Sequence, residues 1–175
     1  MSSELKFDNW QDTSGNTVGT ILQVKQIVYT DTWTQTTANG TTWYSTPLAV
    51  SITPRATTSK VLIMVTLHAG TGYWEIQGRV LRGSTPIGLG TPRGSRTACG
   101  FAHHKYDNTY DYYNVFPMQY TYLDSPATTS NTQYVVQLNS YSTYTLHLNR
   151  SNSYQNSADQ MGVPVSTLTL MEIAA

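Results

Sequence analysis

His103 and His104 stand side by side, Asp107 and Asp111 follow closely, and Cys99 lies just upstream. Imidazoles and carboxylates are common zinc ligands, and a thiolate beside an imidazole is the usual cysteine nucleophile. The local pattern argues against both, and only a loop conformation at 103–104 would bring the two imidazoles to one ion. Neighbouring side chains on a strand point to opposite faces, so His103 and His104 cannot share one ion there. Cys99 sits between Ala98 and Gly100, small uncharged neighbours that suit a buried, inert thiol. No G-x-S-x-G elbow occurs, and the glycines of IGLGTPRG do not join a strand to a helix as a phosphate cradle requires. No catalytic residue, cofactor site or metal site is expected, and the chain does not read as an enzyme.

Two other groups suit contact rather than catalysis. Arg79, Arg82, Arg93 and Arg96 cluster around a Gly-rich segment. They read either as solvated turn residues or as partners for intersubunit ion pairs, an arginine speciality. The run YDNTYDYYNVFPMQYTY, residues 106–122, concentrates tyrosine with Asn and Asp. Such residues pack strands, make adaptable protein contacts, or stack on and hydrogen-bond sugars. Tyr106, Tyr110, Tyr112 and Tyr113 are the candidates for contact with a receptor or a host-surface glycan.

The elements that must carry these groups are strands. Alternation with period two recurs along the chain, and clean helical periodicity is absent. ILQVKQIVY places Leu22, Val24 and Val28 on one face, with Gln23 and Lys25 opposite. In PLAVSITP, Leu48, Val50 and Ile52 share a face and Pro54 ends the strand. KVLIMVTLHA sets Val61, Ile63, Val65 and Leu67 against Leu62 and Met64, which reads as a central strand covered on both faces. Trp74, Ile76 and Val80 share a face in the next strand, and residues 83–94 read as a loop or irregular hairpin. Weaker strands are expected over 96–103 and 112–123, the latter at an edge or bulged because of Pro117. The last three cover 132–139, 144–149 and 165–173. Asp124-Ser125-Pro126 reads as a chain reversal that makes 112–123 and 132–139 neighbours. Nine or ten short strands with turns between them predict an all-β chain, an antiparallel sandwich or jelly roll over 21–175.

Residues 1–20 differ. Leu5, Phe7 and Trp10 lie among polar residues, as one more peripheral strand or as an arm that buries them against a neighbour.

Composition narrows the function classes. The chain has 175 residues, with 10 Lys and Arg balanced by 10 Asp and Glu. A nucleic-acid binder needs a basic excess, so none is expected. Charged residues are only 11% of the chain, and zero net charge offers little resistance to association. Thr and Ser make up roughly a quarter and carry the solvation instead. One cysteine allows no internal disulfide. No signal peptide or membrane span is read, so synthesis in a cytoplasm is expected. Asn39 and Asn149 match the glycosylation pattern, which means little without secretion.

Several segments together resemble a family of virion proteins from marine bacteriophages, described as tail-fibre-like or structural. They are SSELKFDNWQDTSGNTVGTILQVKQ, LAVSITPRATTSKVLIMVTL, RVLRGSTPIG with GSRTA, LDSPATTSNTQYVVQL, and NRS followed by STLTLMEIAA. The resemblance spans nearly the whole chain in order, except residues 106–122. It implies a non-enzymatic virion surface protein, a capsid decoration or short tail fibre, made in the host cytoplasm. It also implies other virion proteins as partners, docking through Leu5, Phe7 and Trp10, and a homotrimeric jelly roll.

Overall fold

The computed structural model describes residues 13, 19–37, 40–72, 75–104, 113–140, 143–153 and 162–174. Eleven strands are present among them. These are β1 (Ile21–Tyr29), β2 (Trp33–Thr36), β3 (Tyr44–Ile52), β4 (Lys60–Thr71), β5 (Glu75–Arg82), β6 (Thr85–Ile87), β7 (Phe101–His104), β8 (Phe116–Asp124), β9 (Thr132–Asn139), β10 (Thr145–Leu148) and β11 (Ser166–Ile173). Every pairing is antiparallel.

The strands form two sheets. In the first, β4 pairs β8 along one side. Along its other side β4 pairs β11 over Lys60–Thr66 and then β10 over Ala69–Thr71. Outside these lie β1 on β11 and β2 on β10. Asn149 makes this relay work. At 0% exposure its amide donates to the carbonyls of Tyr29 and Asp31 and accepts from the Ser166 hydroxyl at 2.6 Å, holding the break between β1 and β2 against the start of β11. Its φ of 59° is a left-handed turn that Asn tolerates better than most residues. With its amide spent in this way, Asn149 cannot accept a glycan.

The second sheet runs β3–β9–β5, with β6 and β7 sharing the far side of β5. The chain passes from β3 to β4, β4 to β5, β7 to β8, β8 to β9 and β9 to β10 by changing sheet each time. That alternation wraps the chain into an antiparallel two-sheet sandwich. The core lies between the sheets. Val61, Ile63, Val65 and Leu67 of β4 and Leu168 and Leu170 of β11 face Leu48, Ile52, Ile76, Val80, Val136 and Leu138, all at 2% exposure or less. Burying each such side chain contributes roughly 1.5–3 kcal/mol.

Three expectations need correction. β8 and β9 are sequential but not neighbours, because they belong to opposite sheets. Asp124 is the reason. It bonds across to the second sheet instead of turning the local backbone, accepting from Arg82 Nη1 at 2.9 Å and from the Tyr134 hydroxyl at 2.7 Å. In β1 the burial is opposite to that expected. Val24 and Val28 are each 51% exposed, while Ile27 and Tyr29 pack on the core and Gln23 bonds Glu172. β4 is central by its pairing, yet its second face is open and Met64 is 42% exposed. The edge position expected of β8 is observed, since it pairs β4 alone.

Two glycines mark close approaches. A Cβ at Gly78 would collide with the Phe101 ring that lies on β5, and Gly88, with φ of 60°, lets the Tyr120 hydroxyl donate to its carbonyl at 3.1 Å.

Asp124→Ala strands the Tyr134 hydroxyl and the Arg82 guanidinium. It is expected to cost about 3 kcal/mol in urea unfolding, against about 1 kcal/mol for Tyr134→Phe.

Candidate functional site

The fold separates the groups that could do chemistry. His103 and His104 fall on β7 and alternate, so His103 is half-buried and stacks on Phe116 at 3.9 Å between centroids, whereas His104 is exposed. Asp107 and Asp111 lie outside the described residues. No group of three or more His, Cys, Asp or Glu side chains among the described residues could hold a metal ion.

Cys99 is half-buried rather than fully buried. It lines a recess of about 360 Å³ with Glu75, Gln77, Ser95, Arg96 and Thr97. Burial, then the Glu75 carboxylate, push its thiol above the ordinary range, which lowers the thiolate fraction. The Glu75 carboxylate accepts from Gln77 at 3.0 Å. The recess therefore sets a weakened thiol nucleophile beside one hydrogen-bonded carboxylate.

The arginine set divides. Arg82 is committed within the chain to Asp124 and the Ser125 carbonyl. Arg79 stacks 4.3 Å over the Trp43 ring and donates to Gln137, which in turn donates to Ser45. These three residues face one another across β5, β9 and β3, so they form a polar ladder on the outer face of the second sheet. Burial pulls the Arg79 pKa down from its ordinary value. Arg93 and Arg96 are exposed and join in an isolated bridge at the tip of the Gly-rich segment.

The tyrosine set divides too. Tyr113 is 40% exposed. Tyr120 is structural: its ring packs on the core and on Phe101, and burial, aided by Tyr122 and Asp124, pushes its phenol up to about 12. Tyr106, Tyr110 and Tyr112 lie outside the described residues, as do Leu5, Phe7 and Trp10.

Sequence reasoning missed a cluster of polar groups at one end of the sandwich. Glu172, at 0% exposure, accepts from Gln23 Nε2 and from the Arg55 backbone N–H, both at 2.6 Å. Burial raises its pKa, but Gln23, Arg55 and Ser59 outweigh this and hold it below the ordinary carboxylate range. Across the same end, Asp124 pairs with Arg82 and Tyr134, and burial and the bond to Asp124 raise the Tyr134 phenol far above its usual value. The signal was a Glu at an inward position of an apolar strand, LTLMEI, where a charge must be paired.

His147 is 3% exposed. Its Nε2 bonds the Asn152 side-chain oxygen at 2.9 Å, so that nitrogen carries the proton, and Nδ1 accepts from the Thr34 hydroxyl at 3.1 Å. Burial pulls its pKa down and keeps the ring neutral.

No protein-family model matches the chain, and a search of curated proteins finds no match.

Two predictions concern these groups. Cys99 should react with a disulfide reagent at pH 8 several-fold more slowly than a free thiol; a rate equal to that of free cysteine would place it outside its recess. Acid should destabilise the fold in two stages. His147 and Glu172 both have folded pKa values below their unfolded ones, so the unfolded chain binds more protons and stability rises with pH. The His147 contribution is complete above about pH 6.5 and that of Glu172 above about pH 4.3, and each is lost as pH falls through its folded value. Glu172→Gln should lower the melting temperature at pH 7 and flatten its fall below pH 4.3.

Proposed function

We propose that this chain is a non-enzymatic structural protein of the bacteriophage virion surface, a capsid decoration or short tail-fibre protein. Residues 1–20 dock onto other virion proteins, and the sandwich associates with copies of itself, a homotrimer being the proposed state.

One observation carries the reading. The segments on which the family resemblance stands are scattered along the chain, yet their polar residues meet at one end of the sandwich. Gln23 comes from GTILQVKQ, Arg55 and Ser59 from SITPRATTSK, Arg82 from RVLRG, Asp124 and Tyr134 from LDSPATTSNTQYVV, and Glu172 from LMEIAA. In the fold they become the partners of two buried carboxylates. These bonds tie the resembling segments into one structural core, which supports reading them as parts of a single pattern.

The opposite end suits display. β4 ends, β5 begins, β7 ends, β8 begins, β9 ends and β10 begins there, away from Asp124. Loops are where binding function accumulates on a rigid scaffold. Tyr113, 40% exposed and part of the run 106–122 that the resemblance leaves out, precedes the start of β8 at that end.

The test is particle incorporation. A chain lacking residues 1–20 should fold, giving the same β-type circular dichroism as the full chain, but should be absent from purified phage particles by immunoblot. Incorporation at the full-length level would refute docking by this segment. Absence of the full-length chain from particles would refute the virion reading.

A further inference from the structure

The two outer faces of the sandwich are not alike. The second sheet carries the Arg79–Gln137–Ser45 ladder. The first sheet turns outward a face with almost no charge. Register defines it row by row. Val24, Met171, Leu62 and Leu123 are aligned across β1, β11, β4 and β8, which makes one row apolar from edge to edge. Beside it runs Gln26–Thr169–Met64–Thr121, and then Val28–Thr167–Thr66–Gln119. Ile21 and Ile173 extend the apolar side at one end. Val24, Val28, Met64 and Leu123 are 51%, 51%, 42% and 52% exposed, so nothing in the described chain covers them.

No ionisable side chain lies within these three rows. Lys60 sits at one margin and reaches Ser125 at 2.9 Å, and His68 sits at the other, bonded to the Val165 carbonyl at 2.9 Å. The polar residues inside the face are neutral. Gln26 already donates to the Thr169 hydroxyl at 2.7 Å, which lowers the cost of taking both out of water.

The geometry points to this face as the self-association surface of the protein, covered in solution by a second copy of the chain. Area and charge both favour that occupant. Four strands about 4.8 Å apart and eight residues at about 3.3 Å each project roughly 500 Å². Two copies sharing the face together remove about 1,000 Å², the lower bound for a specific interface. A strongly charged partner would desolvate its charges against a surface that offers none in return. A second copy brings equal apolar area and neutral hydroxyls, and a net charge of zero gives the copies no mutual repulsion. Arg79 and Arg82, bonded within their own chain, are then not needed to hold copies together.

The inference rests on the proposed self-association and names its surface; two copies sharing one face close as a two-fold pair, so it replaces the homotrimer with an even-numbered assembly. It does not share the virion reading's fate. Purified protein that associates through this face yet is missing from particles sinks only the virion reading. A monomer found in particles sinks only this one.

The test is sedimentation equilibrium of the full chain at micromolar concentration, with circular dichroism as the folding control. The wild type should sediment at an even multiple of 19.5 kDa, twice that mass for a simple pair. Met64→Glu and Thr121→Arg, both at outward exposed positions, should reduce it to the single-chain mass with the β-type spectrum intact. If Met64→Glu fails to fold, Thr121→Arg at the sheet edge decides alone. Leu89→Glu, exposed but away from the face, should leave the multiple unchanged. A wild type at 19.5 kDa would overturn the proposal and assign the face to residues 1–18 or to a different protein. A multiple that survives both face variants would overturn it by placing the interface elsewhere.

Discussion

Two carboxylates buried at one end of a sandwich set the terms for the rest of this structure. Asp124 belongs to the first sheet but takes its bonds from the second, through Arg82 on β5 and Tyr134 on β9. Glu172 ends the inward face of β11 and fastens Gln23 of β1 and the β3–β4 connection to it. Buried charge is costly unless each partner is in place. These bonds therefore tie together β1, β5, β8, β9, β11 and one inter-sheet crossover. Apolar packing drives the sheets together, but it is non-directional and would tolerate sliding. The carboxylates fix which strand ends meet.

Among the described residues the far end is held mostly by neutral groups, beside Arg150, which donates to the Ser151 and Asn152 carbonyls. Asn149 closes the gap between β1 and β2, and His147 joins Thr34 to Asn152. Thr37 donates its hydroxyl to the Tyr144 carbonyl at 2.7 Å. Amides, hydroxyls, a neutral imidazole and Arg150 do there what the Arg82–Asp124 pair and the hydrogen-bonded Glu172 do at the other end. A chain with 11% charged residues can afford only a few paired charges, and it places the best-paired ones where the two sheets must be locked.

Much of this was legible in the residues. Alternation in KVLIMVTLHA places Val61, Ile63, Val65 and Leu67 on one face, and that face lies in the core. Pro117 marks an edge strand. What failed did so for a physical reason. ILQVKQIVY carries apolar residues on both faces, and period two alone cannot say which set faces the core. The bond from Gln23 to Glu172 decides it, and that contact is 149 residues distant in sequence. The Asp-Ser-Pro reversal is equally ambiguous: a turn signal reports that the chain changes direction, not whether it returns to the same sheet. β2 was missed because four residues, WTQT, are too few to show a period. The polar cluster was hidden because its members come from five separate segments.

The edges and the open face then answer one another. An unpaired strand edge invites pairing with another chain, and charged proteins usually guard it with lysines. Here the guards are mostly prolines, which lack the N–H an invading strand would need. Pro117 lies in β8 and Pro86 in β6, and in β3 Pro47 occupies a register shift where the Thr46 hydroxyl bonds the Val136 carbonyl. On β1 the guard is Lys25, exposed on the inward side of the strand. An apolar, uncharged face on a protein with open edges would risk indefinite sheet extension. With β1, β3, β6 and β8 obstructed in this way, the proposed association would run through side chains on the face rather than through those strand edges. Three prolines and one lysine supply that restriction, at positions where a strand edge would otherwise be open.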